Sequence, residues 1–320
     1  MKTLFWTGKL SLPLRLMINM GSVIAWITGN ARNTSLMKER MKDGYNGKYS
    51  GYVHRYDELA TFHYEKISKL LIQDIECRGK EVIDIGCGTG ILSLIVLEKS
   101  IKKLACVDQS RLMLDKNREK CVSAGYSDDL ITFHESDAER LIFDDGTFDV
   151  VFSNMVLGMI PNQQATISEL SRVLRPGGTI AISAHGPAHY FEAIEAAVRS
   201  MNKRYFMAHR MEFWPRNEKD IQTFFINAGL DNIHTKRLSW TDEFDNGGEV
   251  FDFFASTSGL WWYHRLPPEI RNKETEKTRN YFQYNNVAKI TTDVVFAFGT
   301  KKSDPNNRAI SADAKSRAAD

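Results

Sequence analysis

The 320-residue chain has only four cysteines, Cys77, Cys87, Cys106 and Cys121, with no CxxC pair and no metal-ligand spacing to its eight histidines. That excludes a disulfide-stapled scaffold, and no metal site is expected. The thiols read as reduced and packed, Cys87 within a glycine loop and Cys106 within an apolar strand. An excess of one charge is also missing: 42 Lys and Arg stand against 40 Asp and Glu, a net +2. No overall field draws such a chain to nucleic acid. Nor is there an apolar run long enough to cross a membrane, since Leu16 to Thr28 is broken by Asn19 and falls short of the roughly 20 residues a spanning helix needs. What remains, 42% hydrophobic and 26% charged residues, is the composition of an ordinary globule, and the length allows one large catalytic domain with appendages or two small domains.

Charge is unevenly spread. Residues 1–42 carry Lys2, Lys9, Arg15, Arg32, Lys38, Arg40 and Lys42 against the single acid Glu39. Gly29-Asn30-Ala31 loosely resembles a signal-cleavage site, but Leu4 and Trp6 interrupt a charged leader. Two readings of the segment are left, a helix docked on the protein and a helix lying on a membrane surface. Leu12, Leu16, Met20, Val23, Ile24 and Ile27 recur at steps of three or four, which suits either. Residues 1–50 are therefore set apart as a basic, apolar N-terminal segment. Residues 301–320 lack apolar clusters and read as a disordered tail.

Between them, short apolar runs alternate with amphipathic helices, the mark of an α/β domain around a parallel sheet. The strands read as Glu81 to Ile85, Lys103 to Val107, Leu130 to His134, Phe148 to Ser153 and Thr179 to Ser183, followed by Ile233 to Trp240 and Asp293 to Phe298. The fold class expected is a doubly wound, seven-stranded, mostly parallel α/β sheet over residues 51–300, with cap insertions at about 186–216 and 245–290. Helices are predicted over Tyr56 to Ile75, Leu92 to Lys99, Arg111 to Ala124, Gln163 to Leu174 and Glu218 to Ala228. Arg175-Pro176-Gly177-Gly178 reads as the stop and turn before the fifth strand. Aromatic and methionine residues gather at Tyr205 to Trp214 and Phe251 to Tyr263, which suits either a greasy acceptor or plain core.

The chemistry concentrates in Val82-Ile83-Asp84-Ile85-Gly86-Cys87-Gly88-Thr89-Gly90, an apolar strand running into a glycine loop that opens a helix. A dinucleotide loop is spaced GxGxxG. Here the spacing is GxGxG, with Ile91 after the third glycine and a carboxylate at Asp84, which suits a cationic amino-acid-like ligand better than a pyrophosphate.

On these residues the chain resembles the class I S-adenosylmethionine-dependent methyltransferases, in their small-molecule branch that includes ubiquinone and menaquinone methyltransferases. The resemblance covers about residues 50–300 and implies a Rossmann-like methyltransferase fold with a helical cap. It implies a cofactor set of Asp84, Gly86, Cys87, Gly88, Gly90, Asp108, Gln109, Met113, Asp137, Ala138 and Ser153. In that set Asp108, closing the second strand, takes both ribose hydroxyls, Met113 flanks adenine, and Asp137 accepts from the adenine amino group. A departure is Met155 to Ile160, more apolar than in the quinone enzymes and without the histidines often found there.

In-line transfer of an activated methyl needs a nucleophile held close, desolvated and stripped of its proton if it is oxygen or acidic carbon. The candidate bases are His185, His189, His63 and Tyr56, although for any one of them a solvated or hydrogen-bonded structural role is the favoured reading. Ser153-Asn154-Met155-Val156 lacks the signature of base-methylating enzymes. The expected partner is a small hydrophobic or lipid-like acceptor and no nucleic acid, in a cytoplasmic or membrane-associated protein whose oligomeric state is open. Two rival readings remain: a non-catalytic regulatory protein that binds S-adenosylmethionine, and a nicotinamide-dependent oxidoreductase.

Overall fold

In the computed structural model, residues 8–27, 34–49, 51–201, 214–258 and 266–303 are described. Three helices come first: α1 (Leu12–Ile27), α2 (Thr34–Tyr45) and α3 (Tyr56–Ile72). The alternating unit follows as β1 (Glu81–Ile85), α4 (Ile91–Leu97), β2 (Lys103–Asp108), α5 (Arg111–Ser123), β3 (Ile131–Glu135), β4 (Phe148–Asn154), α6 (Gln163–Val173), β5 (Leu174–His185) and α7 (Phe191–Ser200). The chain then runs through α8 (Glu218–Asn227), β6 (Leu230–Glu243), α9 (Gly247–Ser258), α10 (Pro268–Tyr284) and β7 (Lys289–Lys301).

The seven strands form one sheet in the order β3-β2-β1-β4-β5-β7-β6. Only β7 runs against its neighbours. The chain leaves β1 in one direction through β2 and β3, then returns on the other side at β4, so a crevice opens at the carboxyl ends of β1 and β4. Side chains alternating across each strand divide the core into two layers. Val82, Cys106, Val150 and Phe152 join α3, α4, α5, α7, α9 and α10 on one face. Ile83, Val107 and Val151 join α6 and α8 on the other.

Three features differ from the sequence reading. Strand β5 starts directly at the end of α6, with Leu174 paired to Phe148 and Thr179 paired to Val150. Arg175 to Gly178 thus sit in an irregularity of the strand, anchored by Arg175 to Asp149 at 2.9 Å and to Glu81. Strands β6 and β7 are longer than their apolar centres suggest, because paired polar residues at their ends extend the ladder. The second insertion is part of the core: Phe251, Phe253 and Phe254 of α9 are buried in the same layer as α3, Phe251 and Phe254 packing on Phe282 of α10 and Phe253 on Phe62 and His63 of α3. Of the other aromatic stretch, Tyr205 to Trp214, only Trp214 lies within the described residues, as only 251–258 do of Phe251 to Tyr263. The expected tail from 301 falls outside them beyond residue 303.

Packing of α9 on α10 depends on Gly247, where a Cβ would sit 2.1 Å from the Phe282 carbonyl oxygen. Backbone cannot yield as a side chain does. Gly247→Ala is expected to destabilise the fold by about 1–3 kcal/mol, the range for overpacking, read as a lower thermal midpoint. An unchanged midpoint contradicts this close helix contact.

Candidate functional site

At the carboxyl ends of β1, β2, β4 and β5 lies an open cavity of about 930 Å³, solvent included. The sheet order sorts its lining. Asp108, Gln109, Met113, Ser136, Asp137 and Ala138 come from the β2 and β3 side, while Asn154, Met155, Val156, Met159 and His185 come from the β4 and β5 side. Its charged lining residues, Lys38, Asp108 and Asp137, belong to the first end. Tyr45, Tyr56 and Tyr64 from α2 and α3 also line it.

Seven of the eleven residues expected to hold a cofactor meet here: Gly86, Gly88, Asp108, Gln109, Met113, Asp137 and Ala138. Gly86 has φ +69° and a Cβ there would lie 2.3 Å from the Val156 side chain, so this turn admits only glycine. Asp108 accepts from the Gly88 amide at 3.0 Å and the Ser110 amide at 2.8 Å. Each of those oxygens keeps a second lone pair. Burial pushes the Asp108 carboxyl up, against the pull of the Ser110, Gly88 and Gln109 amides.

The other four expected residues are not among those lining the cavity. Asp84 turns toward α4, where Ser93 donates to its Oδ2 at 2.7 Å, and burial pushes its carboxyl up to about 7. Cys87 packs in the core. Gly90 is the left-handed residue that caps α4, against the Asn117 amide. Ser153 is buried within β4, paired to Ile182. These positions shape the loop and sheet from behind.

Helix α2 closes over the cavity through ion pairs that the sequence reading missed. Lys38 bonds Asp137 at 2.6 Å and Glu139 at 2.8 Å, and Lys42 bonds Glu135. Asn46 accepts from the Leu112 amide and, with the Tyr45 carbonyl, from Ser110. The acids stand at alternate positions 135, 137 and 139, opposite lysines four apart on α2. That complementarity is visible in the sequence only once the two segments are known to meet.

Of the candidate bases, Tyr56 and His185 line the cavity, whereas His63 and His189 do not. His189 Nδ1 accepts from the Asp293 amide at 3.2 Å and its ring stacks on Tyr190 at 3.9 Å. His63 lies between Asp242, 3.2 Å from Nδ1, and the Tyr190 hydroxyl, 2.8 Å from Nε2. Thr292 donates to the same Asp242 oxygen at 2.7 Å. Burial pulls all three imidazoles below their ordinary range, His185 to about 3 with His63 adding to the effect. Two backbone outliers border this region: Met155 at φ +60° and Tyr190 at φ +56°. Non-glycine residues held left-handed mark sites where the surroundings enforce the conformation.

The signs of these shifts give a pH test. A histidine whose folded pKa is depressed confers its full stability above the unfolded value near 6.5, and loses it as the pH falls through the window toward the folded value. Asp84 works the other way, since its raised pKa costs stability as the pH rises toward 7. The readout is therefore a difference between variants. His185 alone costs wild type about 2 kcal/mol between pH 7 and pH 5, a loss that His185→Gln removes. Urea unfolding of both proteins at the two pH values is expected to show the gap between them change by that amount. A gap independent of pH contradicts a neutral, buried His185.

Residues 83–182 match the methyltransferase domain family. The chain is 33% identical to the phosphatidylethanolamine N-methyltransferase of Cereibacter sphaeroides, over 54% of this chain and 89% of that one. It is 32% identical to the chloroplastic 2-methyl-6-phytyl-1,4-hydroquinone methyltransferase 2 of Oryza sativa, over 52% of this chain and 43% of that one. With the first relatives found it thus spans less than half of their length. The phosphoethanolamine N-methyltransferase 2 of Haemonchus contortus, solved with S-adenosyl-L-methionine, shares the fold with a TM-score of 0.53 at 17% identity, covering 82% of this chain and 60% of that one. A strand-end carboxylate, a GxGxG turn and this sheet order, joined to that identity, establish that the chain belongs to the class I S-adenosylmethionine-dependent methyltransferases.

Proposed function

We propose that the protein transfers the methyl group of S-adenosylmethionine to a neutral, lipid-like acceptor that reaches the cavity from a membrane surface. The observation that carries this reading is the polarity of one cavity: carboxylates at the β2 and β3 end, and uncharged asparagine, methionine, valine and histidine side chains at the β4 and β5 end. The residues present fit the cofactor. Asp108 has lone pairs left for two ribose hydroxyls, Met113 and Ala138 offer apolar contact to a ring, and the Gly86 turn lets backbone approach a ligand. The faces of Tyr45, Tyr56 and Tyr64 suit a cationic centre. When bound, S-adenosylmethionine supplies a sulfonium-activated methyl group. The protein's part is to orient the acceptor, exclude water and take a proton.

A neutral acceptor is favoured because, among the described residues, no carboxylate lines the β4 and β5 end to pair with an ammonium group. Relatives named for a phospholipid and for a phytyl-bearing hydroquinone support a lipid-like class. Helix α1 supports a membrane origin, because it combines both expected roles. Leu14 and Ile18 are buried, docking the helix, while Leu12, Leu16, Met20 and Ile27 are each more than half exposed. Arg15 and Lys9 are exposed beside them. Lys38 and Lys42 are committed to internal acids, so the charge available to anionic lipid is smaller than the sequence count. Among the described residues no helix is long and apolar enough to cross a membrane.

Asp108→Asn removes the charge that strengthens two hydrogen bonds while keeping the shape. Titration calorimetry is expected to show S-adenosylmethionine bound about 10- to 100-fold more weakly, corresponding to roughly 1.5–3 kcal/mol. An unchanged affinity removes Asp108 from the site. For the acceptor, the protein is incubated with deuterated-methyl cofactor and vesicles holding phosphatidylglycerol, phosphatidylethanolamine and a prenylated hydroquinone, and the lipids are analysed by mass spectrometry. Label is expected in the hydroquinone, with flotation on these vesicles weakened by Leu16→Asp with Met20→Asp. Label in phosphatidylethanolamine refutes the neutral acceptor, and flotation unaffected by the double change refutes the α1 surface.

A further inference from the structure

At the centre of the crevice stands one polar side chain that belongs neither to the expected cofactor set nor to the candidate bases. Asn154 ends β4, beyond the Phe152–Asp84 pair, which brings it level with the Gly86 turn of β1. On its other side it pairs with Ser183 of β5, just before His185. Gly86, Asn154 and His185 all line the cavity. Asn154 thus marks the place where the charged end, with Asp108 and Asp137, meets the uncharged end, with Met155, Met159 and His185.

The amide is held in one orientation. The Met155 amide donates to Ser183 Oγ at 2.9 Å, and the Ser183 hydroxyl donates to Asn154 Oδ1 at 2.5 Å. Oδ1 therefore faces β5, and Nδ2 faces α3, where it donates to Ser68 Oγ at 2.9 Å. Both serines are fully buried, whereas Asn154 is half-buried. Ser68 lies one turn along α3 from Tyr64, which lines the cavity. The backbone is bent to keep this arrangement: Met155 is left-handed, and its amide is also 3.1 Å from the Ser183 carbonyl. A primary amide carries two N–H groups. Among the described residues Ser68 takes one of them, and the other is left for an occupant of the cavity.

We propose that Asn154 determines acceptor specificity by donating its second Nδ2 hydrogen to an oxygen of the acceptor, so that the substrate class is a hydroxyl-bearing, lipid-like molecule rather than an amine. A neutral amide does not offset the desolvation of an ammonium group, which needs a carboxylate at close range. Toward an oxygen the same N–H is a directed donor, and it becomes charge-assisted once the hydroxyl has ionised. The oxygen is then held beside the Gly86 turn and stabilised in its nucleophilic form. Ser68 and Ser183 are positioning residues, since they act through the amide.

This inference rests on the methyl-transfer reading in its turnover arm only. The first arm needs no transfer: 4-nitrophenolate is titrated into the full chain saturated with S-adenosylhomocysteine and followed by its absorbance. Asn154→Ala and Asn154→Asp are each expected to bind it about 10-fold more weakly than wild type, with calorimetric affinity for S-adenosylhomocysteine unchanged. Equal phenolate affinity in the three proteins, no binding to wild type, or an equal loss of affinity for S-adenosylhomocysteine overturns the donor. In the second arm, vesicles holding phosphatidylethanolamine and a prenylated hydroquinone are incubated with deuterated-methyl cofactor. Asn154→Asp, which puts a carboxylate in place of the N–H, is expected to lower kcat/KM for the hydroquinone about 30-fold and to raise the share of label in phosphatidylethanolamine. Ser68→Ala, which frees the amide to turn, is expected to raise the hydroquinone KM about fivefold with kcat unchanged. An Asn154→Asp protein whose label stays in the hydroquinone, with kcat/KM within about threefold of wild type, overturns the proposal. Wild-type label in phosphatidylethanolamine overturns the neutral acceptor and with it the substrate class, while the first arm still decides whether Asn154 donates to oxygen.

Discussion

Neighbouring parallel strands that send the chain in opposite directions cannot share a covering helix at their carboxyl ends, and the gap between β1 and β4 is the constraint around which this protein is arranged. From β1 the GxGxG turn leads away toward α4, and from β4 the left-handed Met155 leads toward α6. The two departures leave the floor of the cavity as backbone and small side chains. Gly86 and Val156 meet there closely enough that no Cβ fits. Its roof has to come from elsewhere in the chain. Helices α2 and α3 supply it, fastened by Lys38 to the acids after β3 and by α3 to the packed layer of α9.

What was legible in the sequence follows from how local each signal is. The β1 turn, Asp108 and the strand order β1 to β5 are written in contiguous residues whose period and glycine spacing have one structural solution. Met113, Asp137 and Ala138, which only the family resemblance singles out, line the cavity because each sits within a few residues of a strand end. Asp84 does not line the cavity but turns to Ser93, a direction that the motif alone does not give, because adjacent strand residues point to opposite faces. The Phe251 to Phe254 run shows the same limit from the other side: apolar aromatics at helical spacing describe a buried face equally well whether protein or ligand covers it.

The remaining site residues are tertiary facts. Tyr45, Tyr56 and Tyr64 reach the cavity from helices that precede β1, and none of their neighbours forms a motif. Lys38 and Lys42 were visible as charge but read as a lipid-facing feature, although their acids lie more than 90 residues away. His63 was singled out by its residue type, yet the contacts that give it a direction, a carboxylate on one nitrogen and a phenol on the other, exist only after β6 and α3 pack. The strain at Tyr190 and Met155 belongs to this class as well. Left-handed tyrosine and methionine are not favoured locally, so only the finished fold imposes them.

The central claim is that one cavity, at the β1 and β4 carboxyl ends and under α2, is built for S-adenosylmethionine rather than for a dinucleotide. Titration calorimetry of the wild-type chain with S-adenosylmethionine and, separately, with NAD and NADP tests it most directly. The account predicts one S-adenosylmethionine per chain and no heat of binding from either nicotinamide cofactor. Binding of a nicotinamide cofactor in its place, or no binding of S-adenosylmethionine, would contradict it.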